Sequence, residues 1–149
     1  MCACKVCVSE RLFPSHPRIA RSVKYVLIAE DDPDIAELLG QVMSARLGVA
    51  TEAVANGALV MDALSARRPD LLILDVDLPG LNGLDVFDLV RNDRHSQGVP
   101  ILILTAMPEK AAKANAPTGV HEVMAKPFDI EDLLARVERL MDGSKTVAA

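Results

Sequence analysis

The chain has no tryptophan, one tyrosine and three phenylalanines in 149 residues, so any core must be assembled almost wholly from aliphatic side chains. It has no apolar run near the roughly 20 residues that a bilayer span requires. The N-terminus lacks the continuous apolar region of a secretory signal. These absences argue against membrane insertion and export and make a cytoplasmic location the expectation. Positive charge is not in surplus either: 16 Lys and Arg stand against 21 Asp and Glu, for a net charge of −5. Phosphate backbones are bound by Lys and Arg, so the balance argues against direct nucleic-acid binding. Cysteine is absent after residue 7. Cys2, Cys4 and Cys7 form a C-x-C-x-x-C cluster with His16 as a conceivable fourth ligand, but nothing around them suggests the small folded unit that holds a structural zinc. Residues 1–22 carry no sustained period and are expected to be a disordered extension. A translation start mis-assigned near Val23 would produce the same picture.

What is present is globular: half of the residues are hydrophobic and a quarter charged, enough for one domain with a substantial core. The chain alternates short apolar runs with helical periods. Tyr25–Ala29 reads as a first strand. Asp32 and Pro33 follow as N-cap and first residue of a helix, in which Ile35, Leu38, Leu39, Val42 and Met43 share one face. Gly48 closes it. A weaker strand spans Val49–Ala55, and after Asn56-Gly57 a helix presents Leu59, Val60, Ala63 and Leu64 and stops before Pro69. Leu71–Leu74 is a buried strand leading into Asp75 and the turn residues Pro79, Gly80, Asn82 and Gly83. Its helix turns Val86, Phe87 and Val90 inward and ends near Asn92. Ile101–Leu104 is a fourth strand running into Thr105. A weak helix from Pro108 to about Asn115 is cut short by Pro117. Glu122–Ala125 leads to Lys126, and Asp129 caps a last helix with Asp132 at its third position. Ile130, Leu133, Leu134, Val137, Leu140 and Met141 form that helix's stripe. Five alternations of strand and helix predict an α/β fold with a doubly wound parallel sheet.

In such sheets, chemistry collects beyond the carboxyl ends of the strands. Four strand ends deliver Glu30 and Asp31, Asp75, Thr105 and Lys126 to one edge. Clustered carboxylates repel by about 4 kcal/mol per pair at 4 Å and an effective dielectric near 20. Oxygen-only ligands of this kind call for a hard cation such as Mg²⁺. Lys126 either neutralises the remaining charge or holds an oxyanion bound to Asp75. A carboxylate, a divalent ion, a hydroxyl and an ammonium together suit phosphoryl transfer.

These residues carry a family resemblance over about Lys24 to Met141. The acidic pair after strand one (Ala29-Glu30-Asp31), the Asp-x-x-Leu-Pro-Gly-x-Asn-Gly segment from Asp75 to Gly83, Leu104-Thr105-Ala106 and Lys126-Pro127-Phe128 stand in order. Intervals of 44 residues from Asp31 to Asp75 and 30 from Asp75 to Thr105 match as well. In this the chain resembles the receiver domains of two-component response regulators. The resemblance implies a flavodoxin-like (βα)₅ fold with five parallel strands in the order 2-1-3-4-5. It implies Asp75 as phosphoacceptor for a histidine kinase or phosphotransfer protein. Mg²⁺ would be held by the side chains of Asp31 and Asp75 and the backbone carbonyl of Asp77, with Glu30 acting through water. Thr105 and Lys126 would contact the phosphoryl oxygens, and the Lys126–Pro127 bond would be cis.

Three features depart from the common pattern. Val123 stands three residues before Lys126, where many receivers have an aromatic ring, so the expectation is a readout through the loops or the strand-four edge. Asp77 adds a carboxylate beside the acceptor, either inert and facing solvent or biasing dephosphorylation and metal affinity. Pro117, with a Thr105-to-Lys126 interval one residue shorter than usual, suggests a truncated fourth helix on the face used in the family for partner docking.

The expected organisation is an extension over 1–22, a receiver over 23–142 and a frayed tail over 143–149. It would be a stand-alone regulator that acts on a downstream protein target and is not an enzyme beyond its own phosphotransfer and dephosphorylation. Two alternatives remain. One is a receiver-like docking module that is never phosphorylated. The other is a haloacid-dehalogenase-like phosphatase, in which Asp75 and Asp77 would be nucleophile and general acid.

Overall fold

A computed structural model describes residues 23–109 and 121–146. The N-terminal extension with its cysteines, and the expected helix from Pro108 with Pro117, lie outside the described residues apart from Pro108 and Glu109. No described helix is long and apolar enough to cross a membrane.

Five parallel strands form one sheet in the order β2-β1-β3-β4-β5. They are β1 (Tyr25–Ala29), β2 (Ala50–Val54), β3 (Leu71–Asp75), β4 (Ile101–Thr105) and β5 (His121–Ala125). Among the described residues, four helices flank them: α1 (Pro33–Leu47), α2 (Gly57–Ala66), α3 (Gly83–Asn92) and α4 (Ile130–Thr146). The expected fold and strand order are those observed.

Alternate residues of each strand face opposite layers. Leu27, Leu72, Leu74, Ile101 and Ile103 pack with Val60, Leu64, Val86, Phe87 and Val90 of α2 and α3. Val26, Ile28, Leu71, Ile73, Leu102 and Leu104 pack with Leu39 and Met43 of α1 and with Leu133, Leu134 and Val137 of α4. β3 is the middle strand, and Leu71 to Leu74 are completely enclosed. β2 is an edge strand, half-buried or exposed throughout, which explains why its sequence is less apolar than those of β1, β3 and β4.

The helix punctuation follows local chemistry. Asp32 Oδ1 accepts the N–H groups of Asp34 and Ile35, at 2.9 and 3.4 Å. Gly48 ends α1 at φ 67, its N–H donating to Ser44 O, a left-handed position that glycine takes without a Cβ penalty. Asp129 Oδ1 accepts Asp132 N–H at 3.1 Å at the start of α4.

Two expected core positions are instead exposed, Leu38 at 46% and Leu59 at 50%. At 100° per residue, Leu38 lies roughly 140° around α1 from the direction of Ala36, Leu39 and Met43, beyond the stripe a sheet covers. Ala36 takes the buried place. The last helix also runs further than expected, through Gly143 to Thr146. A glycine near a helix end costs only about 1 kcal/mol, too little to stop it.

Candidate functional site

Register brings the chemistry together. β1 and β3 pair Ala29 with Leu74, so Glu30 and Asp75 emerge side by side. β4 pairs Leu104 with Asp75, which sets Thr105 one residue beyond, and β5 pairs Ala125 with Thr105, which sets Lys126 at the rim. Glu30, Asp75 and Thr105 are each 2% exposed, whereas Asp31 and Asp77 face solvent.

The Lys126 ammonium serves two carboxylates, with Nζ 3.1 Å from Glu30 Oε2 and 3.2 Å from Asp75 Oδ2. The ammonium therefore lies within ion-pair distance of both carboxylates. Its second partner, Glu30, was not foreseen. Glu30 Oε1 also accepts the Asp32 N–H at 3.2 Å, and Asp75 Oδ1 accepts the Asp77 N–H at 3.2 Å. Thr105 Oγ1 accepts the Met107 N–H at 2.9 Å, which fixes the hydroxyl at the strand end. The Lys126–Pro127 bond is cis.

Burial pushes the Glu30 carboxyl up to about 7 and the Asp75 charge adds to the rise, against the opposing pull of the Asp32 N–H and of Lys126. For Lys126, burial works to lower the ammonium, but the bonds and charges of Glu30 and Asp75 outweigh it and leave it raised. Both shifts describe a buried group of acids short of positive charge. Among the described residues, Glu30, Asp31 and Asp75 offer carboxylate oxygens that all lie within 4.8 Å of one another. With all three ionised, the carboxylates outnumber the one ammonium by two charges, and a donor set made only of oxygen fits a hard divalent cation. A concavity of about 870 Å³ between α1 and β2 takes in Glu30 and Asp31 at one end but not Asp75, Thr105 or Lys126, so the acids meet at the sheet edge and not within that groove.

The backbone beneath Asp75 is as closely built. A Cβ on Gly83 would stand 2.2 Å from the Asp75 carbonyl oxygen and 2.7 Å from Val76 Cα. Gly83 had been read only as a turn residue. Its place as the last glycine of the segment after Asp75 is the available signal, since a glycine at a helix start often marks close backbone approach.

Residues 26–138 match the response regulator receiver domain. The chain belongs to the receiver family. Its relatives include the DNA-binding response regulator MtrA of Mycolicibacterium smegmatis, 37% identical over 113 residues that make up 75% of this chain and 48% of MtrA. The response regulator MprA of Mycobacterium avium is 34% identical over 121 residues, 80% of this chain and 52% of MprA. The chain thus spans about half the length of the curated relatives it matches. Among solved structures, the receiver domain of a histidine kinase from Syntrophus aciditrophicus is similar, with a TM-score of 0.72 and 29% identity over 81% of this chain and 92% of that one. A CheY-like receiver from Methanospirillum hungatei shares the fold with a TM-score of 0.73 and 22% identity, over 84% of this chain and 98% of that one. The receiver is a signalling domain of two-component systems. The expectation of no nucleic-acid role, drawn from net charge, finds no support in relatives named as DNA-binding regulators.

Proposed function

We propose that this receiver takes a phosphoryl group on Asp75 from a histidine kinase or phosphotransfer protein, with Mg²⁺ as cofactor, and signals through contacts that change on phosphorylation. The observation that carries the reading is the meeting of Lys126 with both Glu30 and Asp75 beside Asp31. It sets a buried carboxylate nucleophile in a group of three acids that has one ammonium among them.

In the transfer, an Asp75 carboxylate oxygen forms a bond to phosphorus as the bond from phosphorus to the donor imidazole nitrogen breaks, the nitrogen keeping the electron pair. Asp31 and Asp75 through their side chains, and Asp77 through its backbone carbonyl, would hold the ion, with Glu30 acting through water. When bound, Mg²⁺ supplies electrostatic stabilisation of the charge on the phosphoryl oxygens. The Lys126 ammonium is freed from Asp75 as that oxygen becomes esterified and is then available to a phosphoryl oxygen. The Thr105 hydroxyl lies at the neighbouring strand end to contact another. Asp77 is exposed and approaches Asp75 through its N–H, so any effect of its side chain on the site is through charge.

The test is to incubate the full chain with Mg²⁺ and acetyl phosphate and follow intact mass. A single labile phosphoryl adduct that disappears in Asp75→Ala is expected. No adduct would favour the docking module, and continuous hydrolysis of phosphate esters the phosphatase.

A further inference from the structure

The loop that follows the acceptor is fastened from a direction that the site chemistry does not use. Between Asp75 and the start of α3, Val76 O accepts the N–H groups of Leu78 and Gly83 at 3.1 and 2.8 Å, and Pro79 O accepts that of Leu81 at 2.9 Å. The same Pro79 carbonyl also accepts the N–H of Gly57, at 2.9 Å. Gly57 is the first residue of α2, in the connection after β2, two strands away from β3.

The contact is backbone against backbone, and two glycines permit it. A Cβ on Gly57 would stand 1.8 Å from Leu81 O, and one on Gly80, whose φ is +80, would stand 2.1 Å from Asn56 Oδ1. That same Asn56 oxygen caps α2 by accepting the Ala58 N–H at 2.7 Å. The acceptor loop is therefore anchored at Val76 by β3 and α3 and at Pro79–Leu81 by the Asn56-Gly57 turn. Asp77 lies between the two anchors.

We infer that Asn56 and Gly57 are positioning residues for the phosphoacceptor site. Among the described residues, neither hydrogen-bonds to Asp75 or to the other acids. They fix the far anchor of the loop, and with it the place of the Asp77 carbonyl that the proposed function assigns to the metal, so the inference rests on that reading. The same connection carries displacement outward: when the loop moves on phosphorylation, the end of α2 must move with it, because the Gly57–Leu81 contact leaves no slack. The N-terminus of α2 is then a second surface responsive to phosphorylation. This matters in a chain whose Val123 has no ring to bury.

Mg²⁺ titration of the full chain by calorimetry tests the inference, with folding checked in each variant by circular dichroism. Gly57→Ala is expected to weaken Mg²⁺ binding roughly tenfold, the scale typical of lost outer support around a metal site. It should also shift the metal-free amide resonances of Val76 to Leu81. Ala58→Gly, which weakens the same helix turn without entering the loop contact, is expected to leave Mg²⁺ affinity unchanged. Asn56→Ser keeps an N-cap oxygen but withdraws the amide from Gly80, and it takes the place of Gly57→Ala should that variant not fold. Unchanged Mg²⁺ affinity in a folded Gly57→Ala or Asn56→Ser chain would overturn the inference, as would equal weakening by Ala58→Gly. The parent reading fails separately and visibly: the unaltered chain would bind no Mg²⁺, or Asp75→Ala would bind it equally well.

Discussion

Lys126 holds its ammonium 3.2 Å from Asp75 Oδ2, yet the carboxylate it neutralises belongs to a group of three acids. One cation for three anions is a destabilising balance in a metal-free fold. Asp75→Asn is expected to stabilise the metal-free protein by roughly 1–2 kcal/mol, the relief of carboxylate repulsion exceeding the loss of one Lys126 contact. Mg²⁺ should raise the melting temperature of the unaltered chain and leave that of Asp75→Asn nearly unmoved. Thermal unfolding with and without Mg²⁺ checks both, and a destabilised Asp75→Asn would count against the electrostatic account.

Gly83 and Gly143 make a paired prediction. A Cβ on Gly83 meets the Asp75 carbonyl and Val76 Cα, whereas one on Gly143 in α4 meets nothing within 4 Å. Gly83→Ala is expected to cost roughly 2–3 kcal/mol through forced backbone movement. Gly143→Ala should gain up to about 1 kcal/mol from helix propensity. Urea denaturation of both variants would show the opposite signs.

His121 should make stability depend on pH. Its ring lies 5.3 Å from that of Phe87, and its Nδ1 is buried without a hydrogen-bond partner among the described residues. Burial, then the Arg91 charge, lower its pKa below the usual 6.5, with Glu122 opposing. A group whose folded pKa is depressed contributes stability above its unfolded value and loses it as pH falls. The unaltered chain should therefore lose stability below about pH 6.5 by more than His121→Phe does. Denaturation of the two proteins at pH 5.5 and 7.5 measures the difference, and parallel losses would remove His121 from the account.

Val123 is half-buried on the face that holds Ile103, and its carbonyl accepts a hydrogen bond from Arg136 Nη1 at 3.2 Å. With an acyl-phosphate mimic bound, amide shifts should be largest at residues 76–83 and at Asn56-Gly57, and smaller at Val123. The largest shift at Val123 would refute a loop-borne readout.

The strands and the rim residues were legible because each obeys a local rule. Leu71–Leu74 and Ile101–Leu104 are short aliphatic runs, and Asp75 and Thr105 follow them directly. Asp32, Gly48 and Asp129 were readable as caps from neighbouring residues alone. The pairing of Lys126 with Glu30 was not legible, because 96 residues separate them and only the register of β1, β3, β4 and β5 sets the distance. The contact of Gly57 with Pro79 was hidden for the same reason: both sit in turn sequences that look locally complete. Leu38 and Leu59 misled because helical spacing shows which residues share a face, not how wide a face the sheet will cover.

β3 runs through the middle of the sheet, hydrogen-bonded on both sides, with Leu71 to Leu74 wholly enclosed. Such a strand acts as a fixed post. A load placed on its tip cannot be relieved by the post sliding or tilting, since a close-packed interior has no room to take up the travel. Modification at Asp75 must therefore be absorbed by whatever surrounds the tip and is free to give. Under the proposed function, the signal would leave as a rearranged rim around a stationary axle.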